Sequence, residues 1–303
     1  MQEEAQRVSS FRASTVISAL LSRRPAALLV VVLPIALGAP PGYSWSGPGH
    51  EVAGAIAERH LGPRARTRVR ELLEQEPLAT ASTWADRMRS DPAHFWQEEA
   101  GPYHYVTVPK GLSYADVGAP TKGDALSALN MFARELRDPN TAPERQRLAL
   151  RFSLHIVQDL HQPMHVGNGK DLGGNRTVVS VNGERSNLHR VWDSDILHSA
   201  GRNHRLWLDY FTDRGLSRAP LSADADPQLW IAESAALRDT LYPAPKVINP
   251  TYLEYHLPQA ERRLALSGVR SAAWLNAVFG DDSEQPPALK TQAPSWWQRL
   301  FGN

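Results

Sequence analysis

The chain reads as a mainly α, single-domain helical bundle with at most a short hairpin. Three observations predict this. Apolar residues recur at helical spacing through most of residues 45–280. Pro63 and Pro143 stand at the starts of such stretches, where a helix tolerates proline. Only one short β-branched run, Thr177-Val-Val-Ser-Val181 ahead of Asn182-Gly183, has the composition of a strand entering a tight turn.

The elements follow in order. Arg23 and Arg24 precede an apolar run, Ala26 to Gly38, that is too short to span a bilayer and is interrupted by Pro34. Small residues Gly42 and Ser44 then stand just before Trp45, so residues 1–44 read as a signal peptide with a long leading segment. Gly49 to His60 is an amphipathic helix, and Arg64 to Glu76 follows Gly62-Pro63. Asp124 is placed to cap a helix that runs to Arg137. Glu144 to Leu160 is long and periodic, and Pro163 marks its end. Asn187 to Leu197, Pro227 to Leu241 and Tyr252 to Phe279 complete the helices, while Tyr-His104-Tyr-Val reads as an extended piece. Residues 281–294 are rich in Asp, Ser, Gln and Pro and read as a linker. The domain therefore spans 45–280, with a flexible tail over 281–303 that ends in an apolar Trp-Trp segment.

The 303 residues include no cysteine, which excludes disulfides and thiolate metal sites. Taking the four arginines and two glutamates of residues 1–44 from totals of 33 and 32 leaves 29 basic and 30 acidic side chains, a formal charge of −1. That is not the footprint of a protein that grips nucleic acid by overall charge. Any anion chemistry needs positive charge locally, and a bound metal supplies it.

Eleven histidines are present. His155 and Asp159 lie four apart on the long helix, so both project from one face. His189 and Asp193 repeat the pattern, and His165 falls between the two pairs. One such pair is ordinarily a helix-surface salt bridge; two with a third histidine between them point to metal. His50, Asp86 and His104 are upstream candidates. Nitrogen and oxygen ligands without sulfur suit zinc.

In these motifs the sequence resembles the S-one/P-one family of zinc nucleases, which includes plant and bacterial members. The matching elements are Trp45-Ser-x-x-Gly-His50, Trp84-Ala-Asp86, His104-Tyr105, His155-x-x-x-Asp159 with His165, Asp171-x-Gly-Gly-Asn175 and Asn187-Leu-His189-x-x-Trp-Asp193. The resemblance implies a bundle of the zinc phospholipase C and P-one nuclease type and three zinc ions per chain. The first zinc would take Asp86, His104, His155 and a shared Asp159. The second would take His165, His189 and Asp193, and the third His50, Asp159 and the amine and carbonyl of Trp45. A free amine is a zinc ligand and an amide nitrogen is not, so removal of residues 1–44 would complete the site.

The implied activity is hydrolysis of single-stranded DNA and RNA to 5′-phosphate products, with 3′-nucleotidase activity, by a metal-bridged hydroxide. Asp86 would orient the nucleophile and Arg89 would hold phosphate. Tyr105 would stack on an unpaired base, with core packing as the alternative. Asp171 and Asn175 would support the ligands from behind. The expected protein is a secreted or periplasmic monomer without a stable protein partner. A zinc phospholipase C is the main alternative, and a non-enzymatic zinc protein the second. Against the former stand the short Trp45–His50 spacing and an aspartate at 193, where phospholipases carry glutamate.

Overall fold

The computed structural model describes residues 45–213 and 223–280. The signal-peptide and tail readings, on 1–44 and 281–303, lie outside the described residues. Within these, the helices are α1 (Gly47–His60), α2 (Pro63–Leu73), α3 (Leu78–Ser82), α4 (Trp84–Arg87), α5 (Tyr114–Val117), α6 (Ala125–Arg137), α7 (Pro143–Asp159), α8 (Leu188–Arg190), α9 (Ile196–His198), α10 (His204–Asp213), α11 (Pro227–Arg238) and α12 (Pro250–Phe279).

Their boundaries have local causes. Pro48, Pro63, Pro143, Pro227 and Pro250 sit in first turns, where no N–H partner is lost. Asp124 caps α6 through a reciprocal box: its carboxylate accepts from Ser127 N at 2.9 Å, and Asp124 N donates to Ser127 Oγ at 2.6 Å. α2 stops at Leu73, short of the expected Glu76, because Glu74 and Gln75 turn left-handed. α11 stops at Arg238, three residues before the expected Leu241.

Strands are few. β1 (Val106–Thr107) pairs in parallel with β2 (Val166–Gly167), Val106 opposite Val166. The expected hairpin is present as β3 (Val178–Val181) and β4 (Glu184–Asn187), joined at Asn182-Gly183, both at positive φ. Two features exceed the expected single hairpin: β5 (Val247–Ile248) adds in parallel to β3, and the β1–β2 pair exists at all. A two-residue strand has no periodicity for sequence reading to detect.

Two apolar cores share α1 and α12. One gathers Leu61, Phe132, Leu150, Phe152, Trp230 and Leu275; the other gathers Trp45, Val52, Ile56, Trp192, Trp207 and Leu264. Close approach of α1 to α3 requires Gly54, where a Cβ would sit 2.3 Å from Ser82 Oγ and 2.4 Å from Leu78 O. In the first core Phe152 packs against Phe132, Trp96 and the ring of His104, whose centroid is 5.1 Å away. Removing that ring would cost about 3–5 kcal/mol and would also unseat His104. Arg238, fully buried, donates Nη1 to Val108 O at 2.9 Å and to Val166 O at 2.6 Å, closing the two-stranded pair.

Candidate metal centre

α7 carries His155 and Asp159 on its buried face, both at 0% exposure. His50, Asp86, His104 and His165 are brought to this pair, and His189 and Asp193 gather around His165. The first turn of α1 delivers His50, whose Nε2 lies 3.5 Å from Asp159 Oδ1. α4 delivers Asp86, whose Oδ1 is 3.6 Å from His155 Nε2, and His155 Nε2 is also 3.3 Å from Asp159 Oδ2. His104 ends a 3₁₀ turn, Gly101–His104, and is not in an extended piece; the chain becomes extended only from Tyr105, into β1. Its Nδ1 reaches Asp159 Oδ2 at 3.0 Å. His165 ends another 3₁₀ turn beyond α7, with Nε2 4.0 Å from Asp193 Oδ1. His189 in α8 and Asp193 in the π-turn Val191–Asp195 approach to 3.3 Å. Three groups result, the first two sharing His155: His50, His155 and Asp159; Asp86, His104 and His155; His165, His189 and Asp193. Their ligand atoms lie within 4.8 Å of one another in each group.

The rings are aimed from behind. Nδ1 of His155 donates to Ser82 O, that of His165 to His104 O, and that of His189 to Gly173 O, each at 2.7 Å. His50 donates Nδ1 to Gln158 Oε1 at 2.6 Å. Each bond holds Nδ1 as a donor and turns Nε2 toward the cluster, the orientation metal-ligating histidines adopt. Nε2 of His50, His155 and His165, together with Asp193 Oδ2, are buried without a hydrogen-bond partner. Buried polar atoms are rarely left so, and cations held in the separate groups would satisfy them.

The electrostatics agree. Burial, with the nearby His155, lowers His50 to about 4, and burial lowers His104 to about 4 and His189 to about 3, so these rings stay neutral. Burial opposes a charge on His155, but Asp159 and Asp86 outweigh it and raise His155 to about 9. Burial also opposes ionisation of Asp159, yet His155 and His165 hold it well below the usual carboxylate range. Burial, with the carboxylates of Asp159 and Asp86 nearby, pushes Asp193 well above that range. A carboxylate in this position ionises only beside added positive charge.

The S1/P1 Nuclease family model matches residues 45–280. The chain belongs to this family. It is 28% identical to Endonuclease 2 of Arabidopsis thaliana over 84% of this chain and 97% of that protein. It is 27% identical to Nuclease S1 of Aspergillus oryzae, covering 80% and 94%. It is 23% identical to Nuclease P1 of Penicillium citrinum, covering 78% and 99%. The protein is a nuclease, a phosphodiester hydrolase acting on nucleic acid, and both the phospholipase and the non-enzymatic readings fall away.

Around the nuclease's clusters the remaining expected residues are placed as follows. Arg89 Nε meets Asp86 Oδ1 at 3.0 Å, and its Nη2 is 3.4 Å from His104 Nδ1, so the guanidinium borders the site. Tyr105 is 47% exposed, which sets aside core packing for its ring. Trp45 is buried, its indole donating to Gln158 O at 3.1 Å while Ser46 N donates to Asp193 O at 2.8 Å. Those bonds hold the Trp45 side chain against Gln158 and the Ser46 backbone against Asp193. Asp171 Oδ2 accepts from Thr177 and Tyr242 and so braces the loop that carries Gly173. Gly173 is at φ +59°, and a Cβ there would lie 2.1 Å from Met164 O. Asn175 bonds to Leu172 O within the same loop and touches no candidate ligand directly.

Sequence reading missed four residues. Gln158 joins His50, Trp45 and Ser82; Ser82 carries the carbonyl that aims His155; and Gln162 donates to Asp193 Oδ1. Leu172, at φ +54° and 63% exposed, projects from the loop behind His189. The signal available for the glutamines was position: Gln158 and Gln162 flank Asp159 in a segment otherwise apolar or ligating.

Proposed function

We propose that this nuclease is a zinc-dependent endonuclease of single-stranded DNA and RNA that yields 5′-phosphate products and also removes phosphate from 3′-nucleotides. The observation that carries the reading is the set of Nε2 atoms left without partners around Asp159 and Asp193. Two atoms each about 2.0–2.1 Å from a tetrahedral zinc lie roughly 3.3 Å apart, and the His155–Asp159 and His189–Asp193 contacts are both 3.3 Å. Asp86, His104, His155 and Asp159 would hold one ion; His165, His189 and Asp193 a second; His50, Asp159 and the Trp45 amine and carbonyl a third. Zinc there supplies Lewis acidity and a water acidified to near-neutral pKa.

The chain's own groups do the rest. Asp86 would orient the attacking water, and Arg89 beside it would neutralise charge on the phosphoryl oxygens. The exposed rim formed by Tyr105 offers a face for a base, and only an unpaired base presents one, which supports single-stranded substrates. The third ion requires Trp45 as the N-terminus, so cleavage after Ser44 would couple export to activation, in a secreted or periplasmic monomer.

The test is hydrolysis of single-stranded DNA and RNA by the exported protein, with N-terminal sequencing and zinc counting on the same sample. Activity from a chain starting at Trp45, with about three zinc ions and loss on chelation, is expected. A Trp45 start with a full zinc complement but no cleavage of either polymer would overturn the reading.

A further inference from the structure

α2 turns Ala65, Val69, Leu72 and Leu73 inward, and its four arginines flank that seam. Arg64 and Arg68 stand one turn apart on one side, Arg66 and Arg70 on the other, two like-charged pairs that a helix does not favour by itself. Arg64 and Arg70 are exposed and the Arg68 side chain is 41% exposed. Glu71, paired with Arg68, is the one carboxylate on α2. Glu74 and Glu76 beyond it are taken up by Arg147 and Arg151. Without residues 1–44 the chain carries a formal charge of −1, so this concentration of guanidinium is local.

We infer that the arginine face of α2 is a second binding surface, for the phosphodiester backbone of a polynucleotide, set apart from the metal centre. The substrate class of this family is itself a polyanion, and rows of guanidinium groups, which bind phosphate through paired N–H donors, complement it. His50 and His60 lie at opposite ends of α1, about 15 Å apart by helix rise. A strand held at α2 is therefore several nucleotides from the bond being cut, and a dinucleotide in the centre does not reach it. The inference rests on a nucleic-acid substrate.

The test compares R64Q/R68Q/R70Q and R64K/R68K/R70K with the parent protein. Binding of a labelled, nuclease-resistant phosphorothioate oligonucleotide is measured against salt, and cleavage of a dinucleotide is measured alongside. In the glutamine variant, affinity at low salt should fall about tenfold and the log–log salt slope should shrink by about 1.4–2.1, at roughly 0.7 per lost phosphate contact. The lysine variant should keep most of both, and dinucleotide cleavage should be unchanged in all three. A glutamine variant with the parent's affinity and slope would overturn the inference. The expected binding change in a protein that cleaves nothing would support the surface and count against the hydrolytic reading instead.

Discussion

Two buried polar clusters flank Asp159, and they treat histidine in opposite ways. His155, four residues before it, gives Nδ1 to a carbonyl and leaves Nε2 facing Asp159 and Asp86 without a hydrogen-bond partner. His161, two residues after it, gives Nδ1 to Val157 O at 2.7 Å, and its Nε2 meets Arg270 Nη1 at 3.2 Å. Around His161, Arg263 donates to the His161 carbonyl, and both Arg263 and Arg270 donate to Glu233. Burial, with Arg263 and Arg270 nearby, holds His161 neutral, well below its ordinary range. Both histidines are at 0% exposure. What separates a ligand from a structural histidine is the partner of the second ring nitrogen: carboxylates at His155, a cation already built in at His161.

The comparison is broken most severely from the ligand side. Asp159→Asn removes the carboxylate that meets His50, His104 and His155, and kcat should fall on the order of 10³-fold or more, at least the scale of losing one preorganised electrostatic contact. Circular dichroism should show the fold retained; wild-type turnover in this variant would remove Asp159 from the chemistry. From the other side, Arg270→Met strips a cation from a pair whose arginine is buried, and should lower unfolding free energy by about 3 kcal/mol in a denaturant titration. Zinc content should stay unchanged, and if the variant emptied the metal centre the clusters would be one unit after all.

A smaller effect is expected behind the ligands. Gln158→Leu unties His50 and Ser82, and metal affinity measured by chelator competition should drop roughly 10–100-fold. The smallest concerns pH. Burial opposes ionisation of Glu233, yet Arg270 and Arg263 hold it below its ordinary 4.5. A depressed carboxyl contributes stability above its unfolded pKa and loses it as pH falls through the folded value. The Tm gap between the parent and Glu233→Gln should therefore be widest above pH 4.5 and close below it. A gap independent of pH would mean that Glu233 acts by packing alone.

The comparison also shows what a sequence can carry. His155 with Asp159 and His189 with Asp193 are legible because a side-chain type and a four-residue spacing belong to the chain itself. The hairpin is legible because Asn182-Gly183 suits a turn with two positive φ values. The carbonyls of Ser82, His104 and Gly173 that aim the rings carry no side-chain signature, so the outer shell stays hidden until the fold is known. His104 misled for a related reason. Tyr-His-Tyr-Val has β-type composition, yet the turn that places His104 begins at Gly101-Pro102, and tertiary packing on Phe152 overrides the local preference.

The two-residue strands β1 and β2 begin two residues after His104 and one after His165, and a single guanidinium, Arg238, closes them. The separation between two of the proposed ion-holding groups is thus gauged by a hydrogen-bonded crosspiece. A nuclease built this way has a calibration point remote from its chemistry. Residue 238 sets the spacing of the jaws, and the rest of α11 is the handle that keeps it still.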